Sequence, residues 1–433
     1  MERSYVKELS SQVGQKVLVK GYVTAIRKHG SLAFLNLRDR SGNVQIVIND
    51  RKNLDLIDDL NLSSVISVNG DVVESSATKL GVEIQNPEIF VLTKVNEILP
   101  IEVYKDSLNI HLDTDLDYRS ISIRQEKYRA IFKVQAVLVA AYREYMTGAS
   151  ATEFFGPAMT SASSEGGAEV FNLPYFESKA TLAQSNQLYK QMMIPVFEKV
   201  FALQKWFRAE NSNTRRHLTE GSQMEFEMGF IDSFSDVMDE LENVMRFMLE
   251  KVRENCVFEL EYLKIDLPIT PEGQFPRLKF SEVKEILEKE YGMSTKHWKD
   301  MTTEGEKAIL DYSREKLGSE FLFITNFDKG VFYAYKDVNG VYQNFDLLCR
   351  EAEIVSGGQR VHDYETLLSS IKEAGMNSDD LEEYLAIFKY GMPPHGGFGI
   401  GLERLTMLVL GLENIREATL FPSDPRRVAG KRV

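Results

Sequence analysis

Between residues 16 and 94 apolar and polar positions alternate in short runs: KVLVKGYVT, SLAFLNLRD, NVQIVIN, VISVNGDVVE, GVEI and IFVLTK. A period of two puts successive side chains on opposite faces, so these runs predict about five strands. DRSGN, at 39–43, supplies a tight turn between two of them. After Ile101 the periodicity fades, and LDYRSISIR, at 116–124, reads as a connector. From 125 to 146 apolar residues recur at helical spacing (Ile131, Val134, Val137, Leu138, Ala141, Tyr145), and Gly148 can stop the helix. Strands and helices then alternate irregularly to the end. Within that stretch, the methionine-rich helix at 236–252 reads as core packing. The acidic helices at 282–290 and 379–383 read as solvated faces. An α+β chain in three parts follows: a strand-rich domain at 1–104, a connector at 105–124 and a large domain at 125–433.

Composition narrows this picture. The chain has 433 residues, 43% hydrophobic and 27% charged, which excludes a disordered or fibrous protein. About five strands in about 100 residues suit a barrel of the oligonucleotide-binding (OB) type, although alternation alone also fits another small barrel or a sandwich. Cys256 and Cys349 lack CxxC spacing, and the six histidines are scattered, so neither a disulfide framework nor a zinc site is supported. MERSYVKELS has no signal-peptide core, and no apolar run of about 18 residues is present, so the expected location is the cytoplasm, with no membrane partner. The net charge of −14 argues against a nucleic-acid binder until it is located. Residues 1–100 carry 12 basic and 12 acidic residues, so the acidic excess lies wholly in the rest.

The chemistry concentrates in two segments. FRAENSNTRRHLTEGSQMEFEMGFID, at 207–232, has an Arg-x-Glu, a loop with Arg215, Arg216 and His217, and then an acidic apolar strand. Planar guanidinium groups make paired hydrogen bonds to phosphate oxygens, so this order of residues can clamp a polyphosphate. Alone, it reads as a solvated ion-pair loop. Near the C-terminus, HGGFGIGLERLTMLVLGLENIREATLFPSDPRR joins a glycine-rich strand to a helix that opens with Glu403 and Arg404. Glycines permit close approach of a flat ligand, and the arginine can stack on a base or meet a phosphate. Glycine-tolerant packing is the plain alternative. No GxGxxG or GxxxxGK[ST] element is present, which argues against Rossmann and P-loop nucleotide sites.

Together the two segments resemble motifs 2 and 3 of class II aminoacyl-tRNA synthetases. The helix at 125–146 followed by ATEFFGP, with Pro157, resembles motif 1, which in that family lies at the dimer interface. The N-terminal barrel resembles the anticodon-binding domain of the aspartyl, asparaginyl and lysyl subgroup. SSEGGAEVF, LAQSNQLYKQ, FDLLCREAEIVSGGQRVHD and FPSDPRR look most similar to archaeal- and eukaryotic-type aspartyl-tRNA synthetases. The resemblance implies a homodimer that uses ATP, L-aspartate and tRNA(Asp).

It also implies roles. Lys190 and Arg360 hold the substrate side-chain carboxylate, and two cations suit one desolvated acid. Asparaginyl enzymes usually carry an acidic residue where Lys190 stands, because an amide nitrogen wants an acceptor, so Lys190 favours aspartate. Glu165 receives the substrate ammonium from a glycine-flanked loop, with Ser185, Gln187 and Ser356 helping to position the amino acid. Arg208 meets the α-phosphate, Glu210 the adenine edge, Arg216 and His217 the outer phosphates, and Arg404 the γ-phosphate or the ring. Asp346 and Glu353 hold magnesium, which favours carboxylate oxygens together with substrate phosphates. On the barrel, Phe34 and Gln45 match residues that read the middle anticodon base, although Phe34 also fits an ordinary barrel core. Thr24 stands where the family often has Trp or His, whereas Lys79 matches the form that reads the anticodon strictly. These two signals conflict, so tRNA(Asn) stays open as a second acceptor. Asn186 and Ser423 depart from the family's Pro and Arg, with Arg426 and Arg427 near the second. An asparaginyl enzyme and a catalytically silent tRNA-binding paralogue are the alternatives.

Overall fold

A computed structural model describes residues 1–105, 110–161 and 169–433. They divide into two compact units, Met1–Glu126 and Lys127–Val433. The first is a closed barrel of five strands, β1 (Lys16–His29), β2 (Leu32–Arg38), β3 (Asn43–Ile48), β4 (Val65–Glu74) and β5 (Val82–Thr93), in the spatial order β1-β2-β3-β5-β4. The alternation is realised directly: Val19, Leu35, Leu37, Ile46 and Ile48 point inward and are fully buried. Asp39 builds the β2–β3 turn by accepting hydrogen bonds from the Ser41 and Gly42 amides at 2.6 and 3.1 Å. GVEI and IFVLTK form one strand rather than two. The chain bends through Asn86 (φ 48°) and Pro87, and the register against β4 shifts at the same place, so the pairing survives the proline.

The helix α1 (Arg51–Asp58) was not legible as a separate element. Its eight residues are too few for a clear helical stripe, and the Asp50 cap, which accepts from the Asn53 amide at 2.9 Å, is the local signal for it. In the segment where periodicity faded, short helices Leu112–Asp117 and Arg119–Ser122 are tied by a buried Asp115–Arg119 ion pair of 2.8 Å.

The second unit is built on an eight-stranded sheet. Its strands are β6 (Thr152–Glu153), β7 (Lys199–Phe207), β8 (Glu220–Gly229), β9 (Arg277–Lys279), β10 (Phe321–Thr325), β11 (Asn344–Cys349), β12 (Ala352–Gln359) and β13 (His395–Gly401), in the spatial order β9-β10-β11-β12-β13-β8-β7-β6. All pairs are antiparallel except β9 with β10 and β6 with β7. The long helix predicted at 125–146 is α2 (Glu126–Gly148). The methionine-rich helix is α4 (Phe234–Asn255), and α3 (Gln187–Met192) precedes it in the chain. Ile131 and Leu138 of α2, with Met238, Met245 and Met248 of α4, pack on Phe226, Leu347 and Phe398 of the sheet. The methionines are core, as their spacing suggested.

The glycines of β13 have a reason that the sequence did not disclose. Gly397 and Gly399 lie opposite Glu227 and Glu225 of β8. A Cβ at Gly397 would overlap the Glu227 carboxylate and the Phe226 carbonyl, and one at Gly399 would overlap the Gln223 amide. The glycine run therefore makes room for polar side chains of the neighbouring strand.

Candidate active site

One cavity of about 560 Å³ in the second unit is lined by Ser185, Gln187, Lys190, Arg208, Glu210, Arg216, His217, Asp346, Glu353, Ser356, Arg360 and Arg404. These twelve sequence-selected residues come from α3 and the turn before it, the β7–β8 loop, β11, β12 and the residue after it, and the helix α5 (Leu402–Val409). Glu165 lies in 162–168, outside the described residues.

At the centre is a buried quartet of charges. Lys190 Nζ donates to Glu225 Oε2 at 2.7 Å and lies 3.2 Å from Glu227 Oε2. Arg360 Nε donates to Glu227 Oε1 at 2.9 Å, and one of its Nη atoms donates to the Gly397 carbonyl at 2.9 Å. All four side chains are almost wholly withdrawn from solvent. Burial would raise the Glu227 carboxyl, but Arg360 and Lys190 beside it hold it below the usual carboxylate range. The two glutamates had been read only as part of an acidic apolar strand. Their i, i+2 spacing in MEFEM was the available signal, because a strand puts both on one face.

A second layer orients this quartet. Gln191 donates to His395 Nε2 at 2.8 Å, while its Oε1 accepts from Tyr384 and from Gln187, each at 3.0 Å. His395 Nδ1 donates to the Pro393 carbonyl at 2.9 Å, so Nε2 is the acceptor of a neutral ring. Burial pushes that imidazole down to about 4. Gln191 closes LAQSNQLYKQ but was given no role there, and Tyr384 carries no motif.

The acidic pair forms where β11 and β12 lie side by side. Asp346 is the register partner of Ser356, and the Ser356 hydroxyl donates to Glu353 Oε1 at 2.7 Å. Burial, and then the Glu353 carboxylate, push Asp346 well above the usual range. Ser356, expected to help position the amino acid, is thus bonded to the acidic pair.

Cations surround His217. Burial lowers its imidazole below the usual range, and Arg404, Arg216 and Arg208 lower it further against the opposing pull of Glu210. Arg404 Nη1 donates to the Glu353 carbonyl at 3.2 Å, and the Arg208 guanidinium lies 5.2 Å over the Trp206 ring. The loop carrying these groups is fixed by Arg416, which sequence reasoning passed over. It is buried and donates to the Thr214 carbonyl and to Asn213 at 3.1 and 2.6 Å. Glu403 pins the head of α5 to β8 by accepting the Ser222 amide at 2.9 Å.

Of the family departures, Ser423 Oγ donates to Glu220 at 3.2 Å and accepts from the Ala429 amide, which makes it a strand-end anchor. Arg427 is buried with its own partners, while Arg426 is exposed. Asn186 bonds Gln204, and its Oδ1 is buried without a partner.

On the barrel, Phe34 is half-buried and alternates with the fully buried Ala33 and Leu35, so it stands on the outer face and not in the core. Gln45 of the adjacent strand donates to Glu83 at 3.0 Å. Thr24 sits at a register shift between β1 and β2 and donates to the Asn36 carbonyl at 3.2 Å. Asn36 is itself the register partner of Gln45. Lys79 is apart from these, exposed in the β4–β5 turn.

Residues 111–425 match the class II tRNA synthetases (D, K and N), and residues 17–92 match an OB-fold nucleic-acid-binding domain. The aspartate–tRNA(Asp/Asn) ligase of Thermus thermophilus is 42% identical over 98% of this chain and 99% of its own. The aspartate–tRNA(Asp) ligase of Pyrococcus abyssi is 40% identical over 98% of each. An asparaginyl-tRNA synthetase from Pyrococcus horikoshii, complexed with asparaginyl-adenylate, aligns over 99% of both chains with a TM-score of 0.92 and 34% identity. With full-length relatives at about 40% identity and a family match across most of its length, the chain belongs to the class II tRNA synthetases, among the aspartate–tRNA ligases.

Proposed function

We propose that this chain activates L-aspartate with ATP, giving aspartyl-adenylate and pyrophosphate, and then transfers aspartate to the 3′ end of tRNA(Asp). The observation that carries the reading is the buried quartet of Lys190, Arg360, Glu225 and Glu227. Two desolvated cations, each held in place by a glutamate, form a preorganised receptor for a small carboxylate. Ser185 and Gln187 flank it, and Glu165 would take the substrate ammonium.

The reaction needs no protein nucleophile. An oxygen of the substrate α-carboxylate attacks the α-phosphorus in line, the bond to the bridging oxygen breaks, and its electron pair leaves with pyrophosphate. Arg208 would neutralise charge developing at the α-phosphoryl oxygens, and Glu210 would meet the adenine edge. Arg216, neutral His217 and Arg404 would receive the outer phosphates. Asp346 and Glu353 fit a magnesium ion. Burial and mutual repulsion make this pair costly alone, and hard oxygens with substrate phosphates are the set that magnesium prefers. Bound there, the ion would neutralise negative charge on the phosphates. In the second step the terminal ribose hydroxyl attacks the anhydride carbonyl and AMP leaves.

Exchange of pyrophosphate into ATP that requires aspartate, without tRNA, is the expected result; exchange driven by asparagine instead would overturn the reading. The asparaginyl likeness in fold is the specific observation behind that alternative. Thr24 and Lys79 give opposite indications about tRNA(Asn), and aminoacylation of the two separated tRNAs decides between them.

On the barrel, the outward Phe34 supports a stacking role. Phe34→Ala should raise KM for tRNA about ten- to hundredfold, because stacking contributes roughly 1–3 kcal/mol per base. Pyrophosphate exchange should be unchanged in the same variant.

A homodimer is proposed from the exposed apolar residues around Pro157, with Phe155 83% and Met159 51% exposed. Sedimentation or light scattering at micromolar concentration should give twice the chain mass of 49.4 kDa, and a monomer would contradict it. No helix among the described residues is long and apolar enough to cross a membrane. The free, buried Cys256 and Cys349 suit a reducing cytoplasm.

A further inference from the structure

The β7–β8 loop is gripped at several points even without a ligand. Arg416 holds its backbone, and Arg215 pairs with Glu351 at 2.9 Å. Another grip falls on Arg216 itself. One Nη atom donates to Glu306 Oε2 at 2.7 Å, and the other donates to the Glu351 carbonyl at 2.8 Å. Nε is buried and has no hydrogen-bond partner. Glu306 belongs to the first turn of the helix Thr303–Tyr312, 90 residues along the chain from Arg216, in a segment that no motif marked.

This arrangement is poorly explained as a stabilising contact. A partly solvated ion pair contributes only about 0–1 kcal/mol. A buried donor left without an acceptor costs about 1–3 kcal/mol, which such a pair barely offsets. A different account follows from what the two grips do to the side chain. A free arginine would lose about 2 kcal/mol of rotamer entropy on ordering. With both Nη atoms anchored, the guanidinium plane is already fixed on the cavity wall, and each Nη keeps a second N–H for an arriving acceptor.

We propose that Glu306 is a positioning residue for the nucleotide, holding Arg216 so that its guanidinium meets an anionic oxygen of the ATP triphosphate. The inference rests on the reading of Arg216 as a phosphate ligand and adds the group that sets its orientation. Glu306 acts through Arg216, and its loss falls on ATP and not on aspartate.

The test is aspartate-dependent pyrophosphate exchange by the full chain, with Glu306→Gln, Glu306→Ala, Arg216→Ala and the Glu306→Ala/Arg216→Ala double variant. Each Glu306 variant should raise KM for ATP about tenfold while KM for aspartate stays within about twofold. The double variant should be no worse than Arg216→Ala, because both changes remove one interaction. Losses that add, a parallel rise for both substrates, or tighter ATP binding in Glu306→Ala would each overturn the proposal. Normal Glu306 variants beside an impaired Arg216→Ala would overturn the role of Glu306 alone. If Arg216→Ala itself leaves KM for ATP unchanged, the phosphate role of Arg216 falls and this proposal with it. Thermal unfolding of Glu306→Gln within about 2 °C of the parent separates positioning from a loss of fold, which would lower both affinities.

Discussion

Lys190→Met is expected to abolish aspartate activation and to destabilise the fold by about 3–5 kcal/mol, the cost of leaving buried charge uncompensated. The reason lies in the arithmetic of the quartet. Lys190 faces both Glu225 and Glu227, and Arg360 faces Glu227, so two cations meet two carboxylic side chains in a region without solvent. Removing one cation leaves two acids sharing a single guanidinium, and it also removes a donor for the substrate carboxylate. Stability and activity should separate in a second variant. Lys190→Met with Glu225→Gln takes away the unpaired acid together with the cation, so thermal unfolding should return most of the way to the parent. Pyrophosphate exchange should not return, because the substrate carboxylate still lacks its ammonium partner. Recovery of exchange along with stability would mean that Lys190 serves the fold alone.

The same quartet marks the limit of what the sequence disclosed. Lys190 and Arg360 could be singled out because the resemblance matched them to the cations that hold the substrate carboxylate. Glu225 and Glu227 could not, because an acid on a strand reads as solvated until the burial of its face is known. The barrel was legible because its alternation has a fixed period and its turn has a chemical signature at Asp39. The helix α1 was not, because eight residues give too short a stripe. The Asp346–Glu353 pair came from resemblance, and its physical reason, two strands running side by side across a register shift, exists only in the folded sheet. Glu306 and Arg416 lay beyond reach for a related reason. Each acts on the β7–β8 loop from a distant segment, and sequence spacing carries no information about which distant side chains share a wall.

Arg208→Ala should lower kcat for pyrophosphate exchange by about 10²–10³, the usual effect of losing one preorganised group that meets charge developing in a transition state. The in-line displacement supplies no covalent role for the protein, so rate has to come from orientation and charge. Arg208 is suited to that because it is already placed: its amide is tied to the Thr219 carbonyl at 3.0 Å, and its guanidinium rests over Trp206. A stacked guanidinium keeps the N–H edges of its fork free and loses little entropy on meeting an oxygen. The loss should therefore appear in kcat more than in KM for ATP, since the α-phosphoryl oxygens gain their extra charge only as the new bond forms. Arg208→Lys should recover little, because a point charge on a flexible stem keeps neither the stacking nor the fork. The outcome contrasts with that at Arg216, where the outer phosphates carry nearly full charge before the reaction begins and the expected change is in KM. Measuring both constants for both arginines gives the sharper test: a loss at Arg208 confined to KM would make it a binding group and would leave the α-phosphoryl charge to the other cations of the cavity.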